Sequence, residues 1–561
     1  MPTISFSLED LRDLVGKKVT FDEVENFVAY GKGEVKSYSK ETDEVTVDFD
    51  DTNLPYLWSV EGVARLVKGI LGLQKGFARL PIKKSDYSVI ADESVNDVRP
   101  YVAALVAKGK RIDEYLLKQL IQLQEKLCDS YGKRRSKVAM GIYSYEKIAF
   151  PIHYRAVRPD AVKFAPLDFS QEMTLKEILE GHPKGKEYGF ILKDCSRYPL
   201  LVDTKGSVLS FPPIINSAGT GKIAVGEERF FIEVTGTDSD ALHLCLNIVA
   251  FALHERGFDI YGVAVHSGSK CITAPLLKEE KIKVAPEFTT RLFGLELGKH
   301  EMKALLERAG YGLNTNGTII IPPYRGDILH PVDVVEDIGI MYGYDKMEVK
   351  PLASYTAGGT SPAVKFSNRL RELAVGLGFQ EVLSPILTNK EILYGKMGMG
   401  DSGTIEIENF MSETYSCVRS WLIPILMEFL SKNKHVAYPQ KVFELGKVAV
   451  KEGGVAVNEG GKAVDYEKIA FASAHEKADY TEARQVVDYV LAQLGLSGDI
   501  KKAEHGSFLP GRAGRVIVSG KEVGFLGEVH PQVLENHKIM VPVVALELNL
   551  DAVFEFVEKE K

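Results

Sequence analysis

The run Tyr324–Asp345, YRGDILHPVDVVEDIGIMYGYD, constrains this chain more tightly than any other stretch. Pro331 suits the first turn of a helix, where a missing N–H costs no hydrogen bond, and VDVVEDIGIMYG continues at helical spacing. Asp333, Glu336 and Asp337 then stand at i, i+3 and i+4 and share one helix face. Asp327, six residues before Asp333, folds back across the proline turn toward that face. The helix N-terminus stabilises nearby anions by about 0.3–1 kcal/mol each, whereas neighbouring like charges oppose one another. A hard divalent cation bound through oxygen relieves the repulsion, and Mg²⁺, which takes one or two carboxylates and keeps several waters, suits the set. The competing reading is an acidic first turn on a solvated helix, with Arg325 pairing one carboxylate at the surface.

Around this run, 561 residues imply about three to five domains. The 45% hydrophobic and 26% charged content are ordinary for globular chains with large cores. No stretch approaches the roughly 20 unbroken apolar residues of a membrane helix, and the N-terminus MPTISFSLEDLRDLVG lacks a basic-then-apolar signal. A cytoplasmic location is the default expectation. Cys128, Cys195, Cys245, Cys271 and Cys417 are scattered without C-x-x-C spacing, which argues against a zinc site or a disulfide framework. The net charge of −8 means that any nucleic-acid contact is local or shared with a partner chain.

The fold class expected is α+β, multidomain. Residues 1–80 read as a small α+β domain: SLEDLRDLVG is helical after a Ser cap, GEVKSYSKETDEVTVDFDD alternates like paired strands, and Val60, Val63, Leu66, Val67 and Ile70 lie along one side of a helix. Residues 85–272 form a larger α+β domain. It includes a helix over RIDEYLLKQLIQLQEKLCDSYGKRRSKVAM with a basic end, and a pocket where VLSFPPIIN meets EVTGTD. Residues 273–350 form a helical module that carries the acids. Residues 355–561 alternate helices with strands in the manner of an antiparallel sheet flanked by helices.

The acidic run resembles the metal-bearing connecting domain of phenylalanyl-tRNA synthetase β subunits of the archaeal and eukaryotic type. The pattern D-x5-D-x2-E-D is matched by Asp327, Asp333, Glu336 and Asp337. DTNLPYLWSVEGVAR resembles that family's N-terminal D-T-N-R-P-D-L-W-S-V-E-G segment, with Leu54 and Tyr56 in place of the Arg and Asp. LQEKLCDSYGKRRSKVAMGIY and YPLLVDTKGSVLSFPPIINS resemble the editing domain. ENFMSETYSCVRSWLIPILMEFLSKNKHVAYPQKVFELGKV and LPGRAGRVIVSGKEVGFLGEVHPQVLENH resemble the C-terminal domain.

The resemblance implies a tRNA-binding editing domain over 85–272, a metal-bearing connecting domain over 273–350, and a class II synthetase-like domain without an active site over 355–561. It implies a Mg²⁺ ion on the four acids beside an α-subunit contact. It further implies an α partner that attaches phenylalanine to tRNA(Phe) with ATP, two α and two β chains in the complex, and hydrolysis of mischarged Tyr-tRNA(Phe). No residue for aminoacylation is expected on this chain, in keeping with the lack of a phosphate loop or dinucleotide fingerprint. The editing pocket is expected to hold Leu209, Ser210, Asn216, Ser217, Glu233, Thr235 and Thr237, with Glu233 accepting the tyrosine O–H. An apolar pocket rejects an added hydroxyl only weakly, so a second site that hydrogen-bonds the hydroxyl is needed. Two rivals are a non-editing assembly or tRNA-binding module and a free-standing aminoacyl-tRNA hydrolase. Lys108, Lys110, Arg111 and Lys133–Arg135 are candidate phosphate contacts, against the reading of a solvated basic face. Gly400-Asp401-Ser402-Gly403 and Gly219-Thr220-Gly221-Lys222 mimic catalytic loops but lack the partner residues and spacing those loops require.

Overall fold

The computed structural model describes residues 2–349, 351–451 and 461–559, so the stretch 452–460 within the expected last domain lies outside the described residues. The chain divides into two compact units, residues 1–350 and 351–561.

In the first unit, strands Thr3–Ser7, Glu44–Phe49 and Gly33–Ser39 form an antiparallel sheet in that spatial order. Alternate residues Ile4, Phe6, Val45, Val47 and Phe49 are buried, as a period of two requires. The helix Leu8–Val15 starts where Ser7 accepts the Asp10 N–H and stops at Gly16, whose φ of 73° needs no Cβ. The helix Val60–Ile70 buries Val60, Val63, Val67 and Ile70, and Trp58 is fully buried beside it. Trp58, Val60, Val63 and Val67 join Leu105, Ile232, Phe251 and others in one continuous core, so side chains from both sides of the expected boundary near residue 80 share an interior, while Ile70 packs with Leu305, Ile319 and Ile338.

An 11-stranded sheet occupies residues 82–274. Its path runs Ile215–Asn216, Val208–Phe211, Tyr198–Val202, Ile152–Val157, Ser88–Ala91, Asp259–Ser267, Tyr101–Lys108, Arg229–Gly236, Val138–Ser144, and two further strands, Ile82–Lys83 and Lys270–Ala274, pair with Asp259–Ser267 off that path. The helix Ser239–Glu255 covers its central strands. The expected long helix after Arg111 is shorter: it spans Glu114–Lys126, then a wide turn Leu127–Tyr131, and the apolar β-branched KVAMGIYS becomes a strand. Between them Lys133, Arg134 and Arg135 adopt φ of 51°, 51° and 65°. Left-handed backbone costs a side-chain-bearing residue about 1–2 kcal/mol. Here Arg134 over Phe190 and Arg135 over Tyr188 pin the turn by cation–π contact.

The module that follows combines strands Glu280–Ile282, Ile319–Ile321 and Gly312–Leu313 with helices Pro286–Phe293, Lys299–Arg308 and Pro331–Tyr342. The last of these begins at Pro331, as the acidic run predicts, and His330 and Asp333 cap it reciprocally.

In the second unit a seven-stranded sheet runs Gln380–Glu381, Gln440–Lys451, Ala463–Ala474, Val543–Asn549, Lys521–Val529, Phe508–Val518, Gly498–Lys502. All pairs but the first are antiparallel. Helices Pro362–Gly376, Ile423–Lys432, Tyr480–Gln493 and Leu550–Lys559 flank it, the class II-like arrangement expected. Arg419 and Glu444 pair in its interior at 2.6 Å and both bind the Ser384 hydroxyl, a closed structural network. All five cysteines are unpaired. Among the described residues no helix is long and apolar enough to cross a membrane.

His537 makes this unit acid-sensitive. It is 1% exposed, neither ring nitrogen has a hydrogen-bond partner among the described residues, and burial, helped by Lys396 and opposed by Glu428 at 3.8 Å from Nδ1, pushes its pKa down to about 4. A histidine depressed on folding leaves stability intact above its unfolded pKa of about 6.5 and erodes it as pH falls toward 4. Urea unfolding at pH 5 should show a loss of about 2 kcal/mol relative to pH 7 from this group. His537→Leu should flatten that slope. An unchanged slope in the variant would discard the assignment.

Candidate functional site

The strand Arg229–Gly236 lies between Tyr101–Lys108 and Val138–Ser144, with Glu233 opposite Ala104 and Gly141. Two-residue spacing puts Glu233 and Thr235 on one face of the sheet. At the far end of the same sheet, Val208–Phe211 and Ile215–Asn216 carry Ser210 and Asn216. The sheet curls until these ends meet. The Tyr143 hydroxyl, on the last strand, lies 2.8 Å from Ser210 Oγ and 2.8 Å from Glu233 Oε1. Giving its single proton to the carboxyl oxygen, it accepts from Ser210. Gly141 permits this join, because a Cβ there would stand 2.1 Å from the Tyr143 hydroxyl and 2.7 Å from Glu233 Oε1.

The result is a cavity of about 470 Å³ with Ser210, Asn216, Glu233 and Thr235 in its lining. Met140, Ile142, Phe211, Pro212 and Ile215 supply apolar wall. Glu233 is 2% exposed, and its Oε2 has no partner among the described residues. Burial raises its pKa to about 8, with the Tyr143 hydrogen bond and Arg99 opposing that rise. A ligand that reaches Oε2 with a polar hydrogen satisfies it; an apolar end leaves it orphaned. Thr235 is fully buried, and its Oγ1 accepts from Arg99 Nε at 3.0 Å while its carbonyl accepts from Arg99 Nη2 at 2.7 Å. Arg135, Lys184 and Lys222 also line the cavity.

Three further candidates sit elsewhere. Leu209 is one residue from Ser210 and points to the opposite face, where it packs with Val89, Leu201 and Phe231. Ser217 lies past its strand end and spends its hydroxyl on Thr220. Thr237 is exposed past the end of its own strand, with Oγ1 3.4 Å from the Ser136 carbonyl. Tyr143 and Arg99 escape the sequence reading. Alternation within MGIYS puts Tyr143 in step with Gly141 and is the signal that was available. A lone Arg before a proline carried none for Arg99. Of the basic candidates, Lys108 donates to the Tyr87 hydroxyl among three tyrosine rings, and Arg111 pairs with Glu228.

The acidic run forms a second centre. Asp327, Asp333, Glu336 and Asp337 all line one cavity, together with Leu54, Tyr56 and Arg65. Arg325 is buried rather than at the surface and holds two of the acids. It binds both oxygens of Asp327, and its Nη1 lies 2.7 Å from Asp337 Oδ2. The Tyr311 hydroxyl also donates to Asp337, whose pKa burial raises. Asp333 Oδ2 accepts the N–H groups of Leu329 and His330. Glu336 Oε1 meets Lys32 at 2.9 Å. Tyr56 packs at a tilt against Tyr324, ring centroids 5.5 Å apart, and lies under the Arg325 guanidinium.

Among the described residues no group of three or more His, Cys, Asp or Glu is arranged to hold a metal ion. The donors are nonetheless hard oxygens in one cavity, and Asp333 Oδ1 and Glu336 Oε2 face no partner among the described residues. Two such carboxylates meet the needs of a largely hydrated Mg²⁺. Asp327 and Asp337 become available only where Arg325 gives way.

Residues 348–550 match the family model described as phenylalanyl tRNA synthetase beta chain CLM domain, and residues 282–344 match the tRNA synthetase B5 domain. A phenylalanine–tRNA ligase beta subunit from Pyrococcus horikoshii is 42% identical over 555 residues, covering 98% of this chain and 99% of that protein. Its counterpart from Thermococcus onnurineus is 42% identical over 569 residues, covering 98% of each chain. The crystal structure of an N-terminal fragment of the Pyrococcus horikoshii phenylalanyl-tRNA synthetase beta subunit superposes with a TM-score of 0.59 at 42% identity. It covers 61% of this chain and all of the fragment.

Proposed function

The chain belongs to the family of phenylalanyl-tRNA synthetase β subunits, and from that membership we propose that it is the non-catalytic, editing partner of an α subunit that joins phenylalanine to tRNA(Phe) with ATP. The complex would hold two α and two β chains in the cytoplasm. The observation that carries the editing role is the open Oε2 of Glu233 at a buried cavity wall. Phenylalanine and tyrosine differ by one hydroxyl, and a site built to bond that hydroxyl discriminates far better than an apolar one. Tyrosine esterified to tRNA satisfies Oε2; phenylalanine leaves it unpaired. Tyr143 and Ser210 hold Glu233 in position, and Arg99 fixes Thr235 beside it. Arg135, Lys184 and Lys222 suit the phosphates of the tRNA end.

Asp327, Asp333, Glu336 and Asp337 would hold the Mg²⁺, with Asp333 and Glu336 offering their free oxygens first. The ion supplies positive charge to a carboxylate cluster and no reactive group. Metal analysis of the purified complex should find about one Mg²⁺ per β chain. Asp333→Ala should lose most of it, and metal content equal to wild type would reject the site.

Purification with and without the α partner tests the whole reading. Phenylalanylation should need both chains, and hydrolysis of Tyr-tRNA should track this chain. Ligation with no hydrolysis favours the assembly module, and hydrolysis by this chain with no α partner captured favours the free-standing hydrolase.

A further inference from the structure

A third cavity, of about 290 Å³, lies between the helix Ser239–Glu255, the segment around Leu276–Glu280 and the stretch Ile321–Leu329. Asp240, His243, Leu244 and Asn247 line it, at the i, i+3, i+4 and i+7 positions of that helix, so a single helix face looks into it.

Asn247 is 4% exposed. Its Nδ2 donates to the carbonyls of Leu276 at 3.1 Å and Pro323 at 3.0 Å. Carbonyls only accept, so the amide cannot be flipped, and Oδ1 is the atom left open. That Oδ1 has no partner among the described residues, nor has the buried His243 Nδ1. Asp240 has no ion pair among the described residues, whereas Lys278 is neutralised by Glu280 and Arg325 by Asp327 and Asp337. The groups still open are therefore two acceptors, Asp240 and Asn247 Oδ1, the Tyr131 hydroxyl, which can accept or donate, and His243 Nδ1, on an imidazole whose pKa burial lowers. Leu244, Leu276, Ile321, Pro322, Pro323 and Ile328 make the remaining wall apolar.

We propose that this cavity binds a linear aliphatic di- or polyamine, one ammonium on Asp240 and further amine N–H groups on His243 and Asn247 Oδ1, with the methylenes against the apolar wall. The open groups recur about once per helical turn of about 5.4 Å, the reach of three or four methylenes between nitrogens. A carboxylate or phosphate ligand has nothing to donate to Oδ1 and would meet Asp240 head on. A nucleobase has the N–H but brings its phosphate past the same carboxylate. The helix N-terminus repels a cation there, which makes the Asp240 charge necessary to the site.

Titration of tRNA-free full chain with spermidine and putrescine by calorimetry, in about 0.15 M salt to screen diffuse attraction, should give saturable binding of one ligand per chain. Asp240→Asn and His243→Leu should each weaken it about tenfold or more. Both substitutions spare the Asn247 clamp, and the melting temperature of each variant checks that the fold is kept. Asn247→Leu should abolish binding, and it is read only alongside those two because it also breaks the clamp. Heat that never saturates, equal affinity in Asp240→Asn and His243→Leu, or displacement by Mg²⁺ at the same concentration as by a second amine would each overturn the proposal.

Discussion

Glu233→Ala is expected to lower hydrolysis of Tyr-tRNA(Phe) by about 10- to 100-fold, the worth of one hydrogen bond to an ionisable group. The lost partner is Oε2, the oxygen of Glu233 that no group among the described residues engages. Glu233→Gln keeps the shape and a polar end, so it should fall between wild type and Ala. The same variants report on stability with a definite sign. Burial raises the folded pKa of Glu233 to about 8, above its unfolded value. A carboxyl raised on folding contributes stability that is present below the unfolded pKa and lost as pH rises toward the folded one. Wild type should therefore weaken from about pH 4.5 to about pH 8 by several kcal/mol from this group, and Glu233→Gln should not. Equal deacylation rates for wild type and Glu233→Ala would end the editing assignment. Equal pH slopes would instead remove the buried-acid account while leaving recognition to be explained.

Arg325→Met is expected to destabilise the first unit by about 3–5 kcal/mol, the usual result of removing one partner from a buried ion pair. The Arg325 side chain is 4% exposed and neutralises Asp327 and Asp337, whose side chains are 6% and 17% exposed. Without it two buried carboxylates face each other, and at least one takes up a proton. The loss should be largest at neutral pH and shrink as pH falls, because protonation relieves the repulsion. Mg²⁺ should recover part of the lost stability, since the cation replaces the guanidinium's charge. Denaturant unfolding with and without millimolar Mg²⁺ reads both effects. A variant as stable as wild type would show that the acids do not depend on Arg325. A destabilised variant indifferent to Mg²⁺ would separate the ion-pair network from the metal site.

Much of the architecture is legible in local pattern. Ser7 and Gly16 bound a helix, Pro331 starts another, and the strands of the second unit fall where GRVIVSG, EVGFLGEV and VPVVALELNL alternate. The helix expected after Arg111 extends past its observed end at Lys126 because LCDSYGKRR keeps helical composition. Its end depends on a left-handed turn pinned by Phe190 and Tyr188, more than fifty residues away in sequence.

The two chemical centres divide along the same line. By itself the sequence determined that Asp333, Glu336 and Asp337 share a helix face and that Glu233 and Thr235 share a strand face; the same period of two sets Leu209 opposite Ser210, against the expectation that both line the pocket. Residue period sets these relations, and they need no partner. Only the tertiary structure decided that a sheet of 11 strands curls until Tyr143 meets Ser210, 67 residues on, and Glu233, 90 residues on. It likewise decided that Arg325 is enclosed with two acids rather than solvated at the surface. Pairing between distant strand ends and the withdrawal of charge from water are collective results of packing. They set which oxygen is left open and which carboxylate is already taken, and so which residues of each motif are free to act.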